Sequence, residues 1–252
     1  MERWAGKVAI VTGASSGIGL AIVKAFVQNE IVVVGFARRK NKMQSEMQNV
    51  KGKSKGKFYA CECDITKTES IEQAFQWVKN NLGTVHILVN NAGVAIDSKF
   101  MDSSRPDWQR LFDINVLGYI DCTKRAARMM LDSDVEGYIV NINSIEGHNV
   151  VAFPNCTLNF YPASKFAAVA ATEITQKELY GSKIRVTSIS PGLVSTEIGE
   201  ANNFNLRPSL INLPTLESDD IASAVIYVIG TAQRVHITEL IIRPLGEVKY
   251  EC

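Results

Sequence analysis

Long hydrophobic runs are missing from this chain. Its longest apolar stretches, Ile31 to Ala37 and Val85 to Val89, fall far short of the roughly 20 residues needed to cross a bilayer, so no membrane span is expected. Charge of one sign is missing too, since 27 Lys and Arg stand against 26 Asp and Glu for a net charge of +1. That balance gives no electrostatic reason to expect nucleic acid or a membrane surface as partner, and a small-molecule ligand is expected instead. Cysteine is sparse. Cys61, Cys63, Cys122, Cys156 and Cys252 make an odd set without a Cys-x-x-Cys pair or a zinc-ligand spacing. They read as free thiols, and neither a disulfide framework nor a metal site is expected. No Pro/Ser-rich linker or low-complexity tract divides the 252 residues, a length that α/β chains often fold as one unit. A single domain over residues 1–252 is therefore expected. The first apolar run, Val8 to Val11, lies too near Met1 for a presequence, which makes the cytoplasm the expected location.

Apolar runs of strand length alternate with stretches of helical spacing along the chain. Strands are expected at Lys7 to Thr12, Ile31 to Phe36, Lys57 to Cys61, Val85 to Asn90, Gly137 to Asn143, Lys183 to Ser188 and Ile237 to Ile242. Most are rich in Val and Ile and apolar throughout, the pattern of parallel strands covered on both faces. Helices are expected at Gly17 to Gln28, Lys40 to Val50, Ser70 to Asn81, Arg105 to Leu131, Tyr161 to Tyr180 and Ser218 to Gly230, the last capped by Ser218, Asp219 and Asp220. This alternation gives an α/β Rossmann fold, a doubly wound parallel seven-stranded sheet with helices on both faces. Such sheets bind ligands beyond the carboxyl ends of their strands.

Directly after the first strand comes Thr12-Gly13-Ala14-Ser15-Ser16-Gly17-Ile18-Gly19, followed by the apolar helical pattern Leu20, Ile22, Val23 and Phe26. Gly13 permits a sharp exit, Gly17 lets backbone approach a pyrophosphate, and Gly19 lets the helix lie close to the sheet with its free amides facing the anion. Three residues separate the first two glycines, a spacing that resembles the short-chain dehydrogenase/reductase family. At the end of the second strand, where an acidic residue would bind an adenosine ribose, the chain reads Ala37-Arg38-Arg39-Lys40. Guanidiniums there suit a 2′-phosphate, so NADP(H) is expected over NAD(H). The bland alternative is that these cations form the solvated start of a helix.

Other segments match the same family. Asp64-Ile65 resembles its adenine-contacting pair, and Asn90-Asn91-Ala92-Gly93 its Asn-Asn-Ala-Gly element beside the adenosine ribose. Tyr161-Pro162-Ala163-Ser164-Lys165 places phenol and ammonium four apart, on one face of a helix. Free tyrosine titrates near 10, and a neighbouring cation stabilises the phenolate and lowers that value. The resemblance implies that Tyr161 is the general acid/base and Lys165 its electrostatic partner and a ligand of the nicotinamide ribose. It further implies that Ser144 hydrogen-bonds the substrate oxygen and that Asn115 holds a water-mediated proton path to the lysine. Pro191-Gly192-Leu193-Val194-Ser195-Thr196 resembles the loop that covers the nicotinamide, with Val194 and Thr196 touching the cofactor. By this reading residues 1 to about 135 bind the dinucleotide and about 136 to 252 carry catalysis and substrate.

The resemblance runs from Lys7 to about Arg243. The segment Ser144 to Tyr161 is longer than in many relatives and carries His148, Val150, Val151, Phe153, Leu158 and Phe160. Those apolar residues suggest a pocket for a lipophilic alcohol or carbonyl. Equally, the loop packs on its own protein. Glu197 to Leu216 reads as a lid, and His86 and His236, at strand starts, read as structural. The chain resembles most an NADP-dependent subgroup that includes insect farnesol dehydrogenases and related hydroxysteroid or carbonyl reductases. A broad detoxifying carbonyl reductase, or an NADP(H)-sensing regulator without turnover, would share the same fold. Small and apolar residues on several faces of the helices at 105–131 and 161–180, which pair subunits in the family, imply a homodimer or homotetramer.

Overall fold

The computed structural model describes residues 1–48, 56–151, 157–196 and 213–247. Seven strands form one sheet: β1 (Val8–Thr12), β2 (Val32–Ala37), β3 (Phe58–Glu62), β4 (Ile87–Asn90), β5 (Gly137–Ile142), β6 (Ile184–Pro191) and β7 (Glu239–Ile242). Every pairing is parallel and the order is β3-β2-β1-β4-β5-β6-β7. The order reverses between β1 and β4, so the crevice beyond Thr12 and Asn90 is the topological switch point where such sheets bind ligands.

The apolar strands are continuous because both sheet faces are covered. Along β1, Ala9 and Val11 enter one core with α1 (Gly17–Gln28) and α7 (Ser218–Gly230), while Val8 and Ile10 enter the other with α3 (Thr68–Leu82) and α5 (Tyr119–Asp132). Two shorter helices, α2 (Lys40–Gln48) and α4 (Arg105–Phe112), precede α3 and α5, and α6 (Tyr161–Glu178) follows β5. The last two positions expected of α2 lie outside the described residues.

Three expectations are corrected. The helix expected over 105–131 is interrupted by a π-helical segment, Asp113–Gly118, that joins α4 to α5. Gly118 allows this close approach, since a Cβ there would collide with the Ile65 carbonyl oxygen. The cap of α7 is Glu217, not Ser218: Glu217 and Asp220 form a reciprocal capping box in which the Glu217 amide donates to Asp220 at 2.8 Å. Strand β6 runs on to Pro191, tolerated because it ends the strand. A short turn, Glu2–Trp4, was also unexpected, and its Trp4 Nε1 donates to the Ile229 carbonyl at 2.8 Å near the end of α7.

Candidate active site

The glycine turn is built as its spacing implies. Gly13 and Gly17 have φ of +66° and +53°, a region that glycine enters without cost. A Cβ on Gly13 would lie 2.9 Å from both Ala92 Cα and Asn91 Nδ2, and one on Gly19 would strike the Gly13 carbonyl. Ser16 stands at the N-cap of α1 without capping the first-turn amides through its side chain. Ser15 is buried and Ile18 packs on the core. Arg39 turns back onto this turn, donating to Ser15 Oγ at 3.2 Å and Ser16 Oγ at 3.1 Å. Arg38 and Arg39 are both exposed immediately before α2.

The turn is tied to β4 by a residue that sequence reading passed over. Thr12 Oγ1 accepts the amides of Asn91 and Ala92, each at 3.0 Å, while Asn91 Nδ2 donates to the Thr12 carbonyl at 3.0 Å. Asn90 reaches the other way, donating to Thr123 Oγ1 at 2.8 Å and Asn141 Oδ1 at 3.0 Å. The available signal was the appearance of Thr and Asn at the ends of otherwise apolar strands. Asp64 is committed locally: its Oδ1 accepts the amide and hydroxyl of Thr66 at 3.1 and 2.8 Å. Burial acts to raise its pKa, but those bonds with Arg38 and Lys67 outweigh it and hold the carboxyl below the usual range. The neighbouring Ile65 is buried against the π segment.

A second cluster forms where β4, β5, α6 and the π segment meet. Asn115 is buried, with Oδ1 accepting the Val94 amide at 2.9 Å and Nδ2 donating to the Val94 carbonyl at 2.9 Å and Ser164 Oγ at 3.0 Å. Ser164 in turn donates to the Tyr161 carbonyl at 2.7 Å. A Cβ on Gly93 would stand 3.5 Å from Asn115 Oδ1 and 3.9 Å from Lys165 Nζ, so the Asn-Asn-Ala-Gly element borders this cluster. Lys165 Nζ donates to the Ile142 carbonyl at 3.2 Å and lies 5.6 Å from the Tyr161 ring centroid. The Ser144 hydroxyl lies near enough to the Tyr161 phenol to favour its phenolate, and its Oγ accepts the Glu146 amide at 3.1 Å.

In the chain by itself, burial sets the electrostatics of this cluster. Burial pushes Lys165 down to about 8, which leaves the amine mostly charged at neutral pH. Burial also pushes the Tyr161 phenol well above its ordinary 10; the Ser144 hydroxyl opposes this and the Glu146 charge adds to it. Among the chain's own groups, desolvation therefore dominates at both Tyr161 and Lys165. Sequence reading missed Glu146, whose signal was a carboxylate inside the turn between β5 and α6.

The 191–196 segment closes over the glycine turn. Gly192 donates its amide to the Ile242 carbonyl at 2.7 Å, Val194 bridges to Leu216, and Thr196 lies 3.4 Å from the position of a Cβ on Gly17. Residues 197–212 of the expected lid, and 152–156 of the loop before Tyr161, lie outside the described residues. The described ends of that loop pack on the protein. His148 Nε2 meets Ser190 Oγ at 3.0 Å and Glu239 at 3.1 Å, the Thr157 amide donates to Asp97 at 3.1 Å, and Phe160 stacks edge-on with Trp108 and Phe100.

The short chain dehydrogenase family model matches residues 7–206. The chain is 45% identical to farnesol dehydrogenase of Aedes aegypti over 98% of this chain and 99% of the relative. It is 35% identical to human dehydrogenase/reductase SDR family member 11, covering 98% of each. Among solved structures it is similar to the closed form of a serine dehydrogenase complexed with NADP+ (TM-score 0.87, 26% identity, 97% and 98% covered) and to a short-chain type dehydrogenase/reductase from Mycobacterium marinum (TM-score 0.87, 27% identity, 95% of each). The chain belongs to the short-chain dehydrogenase/reductase family, and it is an oxidoreductase homologous to farnesol dehydrogenase. Among the described residues no helix is long and apolar enough to cross a membrane, and no group of His, Cys, Asp and Glu could hold a metal.

Proposed function

We propose that this protein interconverts a lipophilic alcohol, of the farnesol-like isoprenoid or steroid class, and its carbonyl with NADP(H). The observation that carries this reading is the meeting of Ser144, Tyr161, Lys165 and Asn115 beside Gly93, next to the switch point of the sheet. A nicotinamide dinucleotide fits the residues present: the glycine turn makes room for a pyrophosphate at the uncapped amides of α1. Gly13, Ser15, Ser16, Gly17, Ile18 and Gly19 would hold the pyrophosphate, and Arg38 with Arg39 a 2′-phosphate. Asp64 and Ile65 would border the adenine, Asn91, Ala92 and Gly93 the adenosine ribose. Tyr161 and Lys165 would hold the nicotinamide ribose, with Pro191, Gly192, Val194 and Thr196 covering the ring. When bound, the dinucleotide supplies two electrons as hydride to the carbonyl carbon, or accepts them from the alcohol.

The chain's own part is the proton. As the C=O π bond breaks and a C–H bond forms, Tyr161 delivers its phenol proton to the oxygen, and the Ser144 hydroxyl stabilises the charge developing there. Lys165 supplies positive charge one helical turn away, and Asn115 holds the bend that sets the helix beside it. Alcohol oxidation reverses each transfer. The halves of the chain, residues 1 to about 135 and about 136 to 252, divide these tasks as nucleotide binding and chemistry within one domain. The cytoplasm is the location proposed, and exposed Leu117, Ile120, Phe166 and Ile174 on the π segment, α5 and α6 support a homodimer or homotetramer built on those helices.

Turnover of terpenoid alcohols, steroids and quinones with both cofactors, in wild type and Tyr161→Phe, tests the reading. Farnesol-like or steroid substrates are expected to lead. A preference below about tenfold, near 1.4 kcal/mol, over small reactive carbonyls would make it a broad carbonyl reductase instead. Equal activity of wild type and Tyr161→Phe on every substrate would remove the catalytic assignment and leave a nucleotide-sensing role.

A further inference from the structure

Glu146 is an unusual neighbour for a group that must release and take back a proton. It sits in the 3-10 turn Ile145–Gly147, two residues past Ser144, and is 3% exposed. Its Oε2 accepts the Val151 amide at 3.2 Å, its backbone amide donates to Ser144 Oγ at 3.1 Å, and its buried Oε1 has no hydrogen-bond partner among the described residues. The turn cannot drift from α6: a Cβ on Gly147 would stand 2.9 Å from Asn143 Nδ2 and 3.0 Å from the Lys165 carbonyl. A carboxyl is thus buried in the turn that carries Ser144, without an ion-pair partner among the described residues.

From this geometry we infer that Glu146 is a positioning residue for proton transfer, an electrostatic brake on Tyr161 that is released when the carboxyl takes up a proton. The inference rests on Tyr161 being the proton-transfer group. The surrounding groups leave the carboxyl free to act. From α6 it faces Tyr161, while Lys165 directs its Nζ to the Ile142 carbonyl. From the segment after β7 it faces Glu247, a like charge held by Arg243 and the Leu193 amide. On its own loop, His148 is occupied by Ser190 and Glu239. Burial, reinforced by Glu247 and opposed by the Val151 amide, pushes Glu146 up to about 7. Both charge states are therefore populated near neutrality, and only the ionised one makes a phenolate at Tyr161 more costly.

The test is the pH profile of kcat/KM for alcohol oxidation by the enzyme with its cofactor, comparing wild type with Glu146→Gln, which retains an acceptor for the Val151 amide. The expected result is an alkaline rise moved to lower pH by about one unit, a roughly tenfold gain on the limb, with cofactor affinity by nicotinamide fluorescence unchanged. Glu146→Met, which removes charge and polar atoms together, should shift the limb the same way, and Glu146→Asp should restore it. A limb that stays in place or moves to higher pH overturns the inference. If neither neutral variant folds, the wild-type profile decides: two ionisations, one near neutrality, support the brake and a single one overturns it. Tyr161→Phe run alongside separates the failures, because loss of turnover there with an unshifted Glu146→Gln profile refutes the brake alone.

Discussion

The two ends of the parallel sheet treat buried polar groups in opposite ways. At the amino end, buried Arg185 opens β6 with its guanidinium 4.5 Å from the Tyr138 ring centroid. Its Nη1 donates to Thr231 Oγ1 and the Thr231, Ala232 and Val235 carbonyls between 2.9 and 3.4 Å, and its Nη2 to Glu136 at 3.1 Å. Arg3 reaches the Ile229 and Thr231 carbonyls from the N-terminal turn. Only the Nε atoms of the two arginines lack acceptors there, among the described residues. At the carboxyl end, both polar atoms of the Asn143 side chain and Glu146 Oε1 are buried without partners among the described residues. Buried polar groups are ordinarily satisfied, so the difference separates an end that closes the shell from one whose groups stay available.

The sharpest way to break this contrast is a pair of substitutions, one at each end. Tyr161→Phe should lower turnover by about 10²–10⁴-fold, the usual worth of a positioned acid or base, with thermal melting unchanged. A melting loss with retained activity would move Tyr161 to the structural side. Arg185→Met should do the reverse, costing roughly 3 kcal/mol of stability in chemical denaturation by leaving the Ala232 and Val235 carbonyls without their donor and Glu136 with Arg3 alone, while turnover per folded molecule stays constant. Asn115→Ala should mix the two effects. It abandons the Val94 amide and carbonyl and Ser164 Oγ, a loss of about 1–3 kcal/mol, and its kcat should fall as the π segment relaxes.

Arg38→Asp sharpens the comparison within the carboxyl end. If Arg38 holds the 2′-phosphate as proposed, its loss should shift preference from NADP(H) towards NAD(H) by about tenfold or more in fluorescence titrations, the scale of one charge-assisted contact. Unchanged relative affinities would take Arg38 out of the site.

The smallest effect expected is on pH and stability. His86, at the amino end, has its Nδ1 3.3 Å from the Val8 amide, and burial pushes its pKa from 6.5 down to about 4. Its contribution is present above about 6.5 and is lost as pH falls towards 4, because the unfolded chain binds that proton first. Glu146 has the opposite sign: its pKa rises from 4.5 to about 7, so stability declines as pH climbs through that window. Melting temperatures across pH should flatten on the acid side in His86→Gln and between about 4.5 and 7 in Glu146→Gln.

Much of this was legible because the signals are local. Strands β1, β2 and β4 stand out as apolar runs since a parallel strand buried on both faces has no polar alternation. The glycine turn and the phenol–ammonium pair depend on spacings within one turn of chain. Strand β7 was expected from Ile237, yet begins at Glu239, because an edge strand is only half covered. The π segment escaped because its cause lies elsewhere: Asn115 bends the helix by bonding to Val94 and Ser164, each distant in sequence. Thr12 and Glu146 escaped for the same reason, since a hydroxyl or carboxylate carries no mark of what will bury it.

By itself the sequence determined the alternation of strand and helix, the phosphate-type turn and the placing of Tyr161 one turn before Lys165, because each is set by backbone geometry over a few residues. The tertiary structure alone decided which polar groups would be dry, which would be paired, and therefore which way their protons lean. Burial holds the Tyr161 phenol above its ordinary value in the chain by itself, because desolvation depends on every element that packs around a group.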